Sequence, residues 1–147
     1  MELIVDVRCD KNEFLKILTD YENLTDYLPV QLKKIEILKK EDKFTTVEMV
    51  LVFKTIVRKE ISQKIEIEEK SENEIKCKVL DGHAKNTIVV IHVNQIENKT
   101  NIKTEIDLKL SLKAKILSPI IKKEYKNIIR GIFMRMGLDA EKNAGVS

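Results

Sequence analysis

The two histidines are the side chains best suited to acid–base chemistry near neutral pH, and they occupy different settings. His83 follows an Asp-Gly turn signal, so a solvated loop residue is the simplest expectation. His92 lies in the most apolar segment, 87–96, where it either faces the outside of a sheet or lines a buried pocket. Strand parity decides between these: if Ile91 points into the protein, His92 points out. The sequence leaves both possibilities open.

Gln63 and Tyr125 are polar side chains in otherwise apolar patterns. Gln63 shares strand parity with Ile61 and Ile65, so it should lie on the apolar side of its strand. A buried amide without a partner costs about 1–3 kcal/mol, so Gln63 lies either at a wet rim or among the few groups that orient a ligand. Tyr125 falls on the apolar side of a helical pattern, where it is either a core residue or a ligand contact through its hydroxyl.

No catalytic motif accompanies these residues. The chain lacks a glycine-rich phosphate loop, paired metal-ligand spacing and a Ser–His–Asp signature. Cys9 and Cys77 lie in apolar strand patterns, which indicates two small core residues rather than a disulfide framework. Asp20 is best explained as the cap of a short helix. We therefore assign no catalytic residue, metal or cofactor from the sequence, and favour binding over catalysis.

The composition predicts one globular domain spanning residues 1–147. Hydrophobic residues make up 43% of the chain and charged residues 35%, which is too apolar for a disordered protein. The net charge of +3 arises from 27 basic and 24 acidic residues mixed along the chain, unlike the clustered basic field of a dedicated nucleic-acid binder. Neither a signal peptide nor an apolar run of about 20 residues is visible, so we expect a cytoplasmic protein.

Hydrophobic spacing predicts the elements that would position these residues. Alternation predicts strands at 2–9, 31–39, 44–53, 55–68, 75–79, 87–96 and 102–114. Short helices should follow Asp10 and Asp20, and Pro29 should end the second one. Ser118-Pro119 opens a long helix that should run to about residue 140. Its inner stripe passes through Ile121, Tyr125, Ile128 and Ile132.

This order of elements predicts an α+β fold. Short polar turns between successive strands favour an antiparallel meander of about seven strands. A twisted sheet with one apolar face curls, and the long C-terminal helix is the element that can fill its concave side. The two short helices follow the first strand.

The segment FLKILTDYENLTDYLP, from Phe14 to Pro29, and this element order resemble the START-related helix-grip superfamily, which includes polyketide cyclases, lipid-transfer domains and coenzyme-Q-binding proteins. Asp20 after an apolar helix and the later Tyr27-Leu28-Pro29 are similar to the superfamily's short-helix pattern. The Tyr-Leu-Pro ending is most similar to the coenzyme-Q-binding and ribosome-association branch. The tryptophan that many members carry in the second helix is absent. The resemblance covers nearly the whole chain as a fold pattern, and it implies a hydrophobic cavity for a lipid-like or polycyclic ligand.

On such a fold, the cavity would be lined by the concave strand faces and the inner helix stripe. These expected cavity residues are Val47, Met49, Leu51, Ile61, Gln63, Cys77, Ile91, Ile106, Leu108, Ile121, Tyr125, Ile128 and Ile132.

Three functions are compatible with this pattern. The preferred one is binding or transport of a lipid, an isoprenoid or quinone, or a polycyclic molecule. A cyclase or aromatase would use the same cavity with two converging polar groups, taken from Gln63, His92 and Tyr125. A ribosome- or membrane-associating module would use the outer side of the long helix, where Lys123, Lys126 and Arg130 could contact RNA or an anionic bilayer weakly.

Overall fold

The computed structural model describes residues 1–27, 32–53 and 59–145, with the backbone alone at 53, 59 and 143–145. The strands are Glu2–Val7 (β1), Leu32–Glu41 (β2), Phe44–Phe53 (β3), Lys59–Ser71 (β4), Glu74–Val79 (β5), Ile88–Ile96 (β6) and Lys99–Asp107 (β7). The helices are Lys11–Leu18 (α1), a 3-10 helix at Tyr21–Tyr27, Leu112–Lys115 (α2) and Ser118–Gly145 (α3). Leu28, Pro29 and Val57, which belong to predicted elements, lie outside the described residues.

All seven strands form one antiparallel sheet in the order β1-β7-β6-β5-β4-β3-β2. Strands β2 to β7 follow one another as a meander, and β1 then joins the far edge by pairing with β7. The sheet is curved around α3, and α1 and the 3-10 helix come directly after β1. The predicted α+β architecture is confirmed.

Strand alternation sets one apolar face of the sheet against the helices. In β6 the side chains of Ile91 and Val93 are buried, and their partners across β7 are the fully buried Thr104 and Ile102. Phe14 of α1 and Phe133 of α3 meet edge to face beneath this layer, with ring centroids 6.0 Å apart. The core is therefore shared between the concave sheet face, α1 and α3.

The short helices begin where the sequence predicts. The carboxylate of Asp10 accepts from the N–H groups of Asn12 and Glu13, at 2.9 and 3.2 Å, and so caps α1. After Asp20 the chain forms the 3-10 helix, which buries Tyr21 and Leu24. These two elements cover the concave face beside α3.

The predicted strand at 102–114 is wrong in its second half. β7 ends at Asp107, which pairs with Ile88, the first residue of β6. Residues beyond 107 therefore have no neighbouring strand on that side, although their apolar–polar alternation continues. Ser111 instead caps α2 by accepting from the N–H of Ala114. Leu112, predicted to point inward, is 83% exposed.

The long helix approaches the sheet unevenly. α3 begins at Ser118 and extends past the predicted residue 140 to Gly145. At Gly137 it touches β1 so closely that a Cβ there would lie 2.6 Å from the Cβ of Val7. Toward the N-terminal end of α3, space between helix and sheet remains, and this space holds the candidate site.

Candidate ligand-binding site

An apolar inner cavity of about 170 Å³ lies between the concave sheet face and the middle of α3. Its lining contains no charged side chain. The lining residues are Leu18, Tyr21, Leu24, Leu32, Met49, Leu51, Gln63, Ile65, Ile67, Ile75, Cys77, Val79, Val89, Ile91, Tyr125, Ile128, Ile129, Ile132, Phe133 and Met136. An apolar cavity of about 150 Å³ can hold benzene, so this one accommodates a ring-sized or short aliphatic group.

Two of the polar side chains that line the inner cavity, Tyr21 and Cys77, are uncharged, which suits an apolar ligand. The Tyr21 hydroxyl donates to a carboxylate oxygen of Glu69 at 2.8 Å, and burial with this bond raises the Tyr21 pKa far above its usual value. Burial raises the pKa of the Cys77 thiol to about 12. Both groups therefore stay neutral at physiological pH, and no charge develops in the cavity from them.

A second, outer cavity of about 250 Å³ adjoins the first near the start of β4. Its lining mixes aliphatic residues with polar ones from the loop after β5 and from α2. The lining residues are Ile61, Gln63, His83, Ala84, Leu110, Lys113, Ala114, Leu117, Ile121 and Tyr125. His83 and Lys113 are exposed, so the outer cavity presents polar groups at its solvent side.

Gln63 and Tyr125 border both cavities. Gln63, buried on β4, faces the side chain of Tyr125 on α3. Burial raises the Tyr125 pKa, and the hydrogen-bonding amide of Gln63 nearby offsets part of this rise. The pair places a neutral donor–acceptor couple between an apolar chamber and a more polar one, where it can orient a ligand that spans both.

Hydrogen bonds join the two segments that flank the outer cavity, the loop after β5 and the segment after β7. Nδ1 of His83 lies 2.8 Å from Oγ of Ser111, the cap of α2. The hydroxyl of Thr87 donates to the Lys109 carbonyl at 3.1 Å and accepts from the Lys109 N–H at 3.0 Å. The loop after β5 and the segment after β7 thus form one wall, with His83 held at its surface.

The structure brings most of the expected cavity residues to the two cavities. The members that line one or both are Met49, Leu51, Ile61, Gln63, Cys77, Ile91, Ile121, Tyr125, Ile128 and Ile132. Their contact with a ligand remains a prediction.

Three expected cavity residues line neither cavity. Val47 is fully enclosed in the packed core. Ile106 is buried at the end of β7, where its carbonyl accepts from the amino group of Met1 at 3.0 Å. Leu108 follows the last residue of β7, so it no longer belongs to the concave strand face.

Among the lining residues that sequence reasoning missed, two groups come from parts of the chain that were not assigned to the cavity at all. Leu18, Tyr21 and Leu24 come from the short helices, whose apolar spacing was visible in the sequence but not assigned to the cavity. His83 and Lys113 line the outer cavity because the chain turns into α2 instead of continuing β7. No local signal marks His83, which is an exposed loop residue as expected and yet borders the site.

His92 faces away from the cavities. Ile91 points inward, so His92 lies on the outer sheet face, with Nδ1 3.2 Å from Glu74 and Nε2 3.7 Å from Glu105. This orientation removes His92 from the candidate catalytic groups.

The outer side of α3 carries the predicted cations: Lys123 and Arg130 are exposed and Lys126 is half-buried. Their contact with RNA or a membrane stays a prediction. Within residues 1–27, 32–53 and 59–145, no helix has the length and apolarity needed to cross a bilayer, and no three potential metal-ligating side chains cluster.

The fold has clear counterparts among proteins of known structure. A protein of Thermus thermophilus matches with a TM-score of 0.81 at 15% identity, over 95% of this chain and 97% of its own. The Zhui aromatase/cyclase of Streptomyces sp. R1128 matches with a TM-score of 0.78 at 10% identity, over 98% and 94%. Norcoclaurine synthase of Thalictrum flavum, solved with dopamine and hydroxybenzaldehyde, matches with a TM-score of 0.72 at 16% identity, over 95% and 86%.

A START superfamily protein of Mycobacterium smegmatis also matches, with a TM-score of 0.71 at 14% identity, over 89% of this chain and 94% of its own. Comparison with protein-family models gave no match, and neither did comparison with curated protein sequences. These likenesses establish that the chain has a helix-grip fold.

Proposed function

We propose that this chain, which has the START-related helix-grip fold, binds a small hydrophobic molecule between its sheet and α3. The observation that carries the proposal is the charge-free inner cavity with the polar side chains of Gln63 and Tyr125 at its edge. A solid core would place aliphatic side chains there and would not need a buried amide and a half-buried phenol.

The two chambers favour an amphipathic ligand. Its apolar part, a ring or a short chain, would occupy the inner cavity, where neither Tyr21 nor Cys77 offers a charge. Its polar end would pass Gln63 and Tyr125 and reach the outer cavity, where the ammonium group of Lys113 complements a carboxylate or phenolate. Lipids, isoprenoid quinones and polycyclic compounds with one polar end meet this description.

Native mass spectrometry of the purified protein mixed with extracted lipids tests the proposal. Ile132, which lines the inner cavity, is changed to Trp to fill it, and Met134, exposed on the same helix, is changed to Trp as the matched control. We expect a bound mass with the wild type and with Met134→Trp, and its loss with Ile132→Trp. Absence of any bound lipid in the wild type would contradict the proposal, and so would equal retention by both variants.

Catalysis of the cyclase type is the second candidate, and one observation favours it. His83, Gln63 and Tyr125 all line the outer cavity, which gives a reacting molecule an imidazole and a phenol from two different elements. The fold likeness to an aromatase/cyclase and to norcoclaurine synthase is compatible with this reading. Incubation with an aromatic aldehyde and an arylethylamine, or with a polyketide analogue, tests it. Turnover abolished by His83→Ala or Tyr125→Phe would support the enzyme; turnover unaffected by both would exclude these groups.

A further inference from the structure

The segment that runs from the end of β7 into the first turn of α3 carries large aliphatic side chains in contact with water. Leu112 is 83% exposed, Ile116 is 86% exposed and Ile120 is 41% exposed. Successive members are four residues apart, and Ile116 itself has helical backbone angles of φ −61° and ψ −33°. Leu112 and Ile116 therefore project from the same side of a helical turn. We call residues 109–122 the apolar–basic tip.

The charge of the tip is of one sign. Lys109, Lys113, Lys115 and Lys122 lie in it, and its sequence contains no acidic residue. Lys109 is ion-paired with Asp107 at 3.5 Å, whereas Lys115 and Lys122 are exposed on α2 and α3. The chain as a whole has 27 basic and 24 acidic residues, so the two signs nearly balance outside the tip. The tip is thus a local basic patch around exposed aliphatic side chains.

We propose that the apolar–basic tip docks on the surface of an anionic phospholipid bilayer. A bilayer satisfies both components of the tip at once: aliphatic side chains enter the boundary between headgroups and acyl chains, while lysines meet anionic headgroups. A nucleic acid would satisfy only the lysines and would leave Leu112 and Ile116 in water. Docking in this way also brings the outer cavity to the bilayer, because Lys113, Ala114 and Leu117 of the tip line this cavity.

Vesicle sedimentation with the full chain tests the proposal. One set of vesicles is phosphatidylcholine alone and the other is equal parts phosphatidylcholine and phosphatidylserine. We expect the wild type to bind the mixed vesicles and to be released by salt. Leu112→Ser with Ile116→Ser should weaken binding by about tenfold or more, because the inserted aliphatic surface is lost. Lys115→Glu with Lys122→Glu should also weaken it by about tenfold or more, since each lysine near the surface is worth about fivefold.

The chain offers a matched control for each pair. Met134→Ser with Leu138→Ser removes two aliphatic side chains that are 48% and 57% exposed and also four residues apart on α3. Lys40→Glu with Lys43→Glu reverses charges at the β2–β3 turn, at the opposite end of the sheet from Ile61 and the outer cavity. Both controls should bind within about twofold of the wild type.

Three outcomes would overturn the proposal. The first is no binding of the wild type to the mixed vesicles, and the second is equal weakening by a control pair and its test pair. The third combines two results: the variant with Leu112→Ser and Ile116→Ser binds vesicles as the wild type does, and the wild type binds a single-stranded RNA oligonucleotide as tightly as vesicles at the same salt. Together these results would define a site for polyanions in general. The assay uses no cavity ligand, so its result is separate from that of the ligand-binding experiment.

Discussion

Gln63 on β4 and Tyr125 on α3 face each other at the boundary of the inner and outer cavities. The pair brings one polar side chain from the sheet and one from the helix to the edge of an otherwise apolar cavity. Position and chemistry together make this pair the most informative place to perturb the molecule.

Separate and combined removal of this pair should give a non-additive loss of stability. Tyr125→Phe and Gln63→Leu should each lower the free energy of unfolding by about 1–3 kcal/mol, because each removes one member of the polar pair and leaves the other in a mostly apolar setting. The double variant should lose less than the sum, by about 0.5–3 kcal/mol. Urea unfolding of the four proteins measures this coupling. Strict additivity would show that the two side chains do not interact.

Alkaline pH should destabilise the protein, and Tyr21 should account for part of the effect. The native-state pKa of Tyr21 lies far above its unfolded value of 10.0, and that of Tyr27 rises to about 12 through burial and a hydrogen bond with Asp139. Below pH 10 both states hold these protons. As pH rises above 10 the unfolded chain loses them first, so the free energy of unfolding falls.

Urea unfolding between pH 8 and about pH 11 measures this slope. Tyr21→Phe should lower stability at pH 8, since Glu69 loses its donor, but should make the decline above pH 10 shallower. An equally steep decline in the Phe variant would contradict the assignment. An exposed-residue variant such as Lys40→Gln serves as the control, with an unchanged slope.

Cys77 should react slowly with a thiol reagent in the native protein. Its pKa of about 12, against the ordinary 9.0, means that the thiolate fraction at pH 8 is about a thousandfold smaller. Labelling with a disulfide reagent in a Cys9→Ala background reports on Cys77 alone. We expect slow labelling in buffer and fast labelling in urea; fast labelling of the native protein would show that the cavity exposes the thiol.

Replacement of Gly137 by Ala should destabilise the protein although alanine is the better helix former. The new Cβ would lie 2.6 Å from both Cβ and Cγ1 of Val7, so α3 or β1 must shift. We expect a loss of about 1–3 kcal/mol, against a propensity gain of about 1 kcal/mol. Gly131→Ala, at a half-buried position of the same helix, is the control. Thermal unfolding compares the two, and a gain in stability at Gly137 would show that the contact relaxes freely.

The parity of the strands could be predicted from sequence because one face of the sheet is buried. Alternation around Met49, Gln63 and Cys77 correctly placed these side chains on the concave face. The same alternation failed beyond Asp107, because pairing requires a neighbouring strand and β6 begins at Ile88. Apolar–polar alternation with a period of two is typical of a half-buried strand, but it does not show that a neighbouring strand is there to pair with.

The direction of the His92 side chain could not be predicted from alternation either. Its strand is apolar on both faces, so alternation alone left its direction open. Pairing of Ile91 with Thr104, both buried, turns His92 outward toward Glu74 and Glu105. Side-chain direction here is a property of the register.

The sequence by itself determined the order of the seven strands, the two short helices after β1 and the long helix, but not α2. It also determined the strand faces and the inner stripe of the long helix, because each follows from local hydrophobic periodicity. Only the tertiary structure decided that Gln63 meets Tyr125 and that His83 and Lys113 reach the same cavity. It also decided that α3 touches β1 at Gly137 while leaving space nearer its N-terminal end. A cavity remains where the surfaces of two elements do not meet, so its size depends on the distance between helix and sheet. Many contacts set that distance at once, and no local sequence pattern contains them.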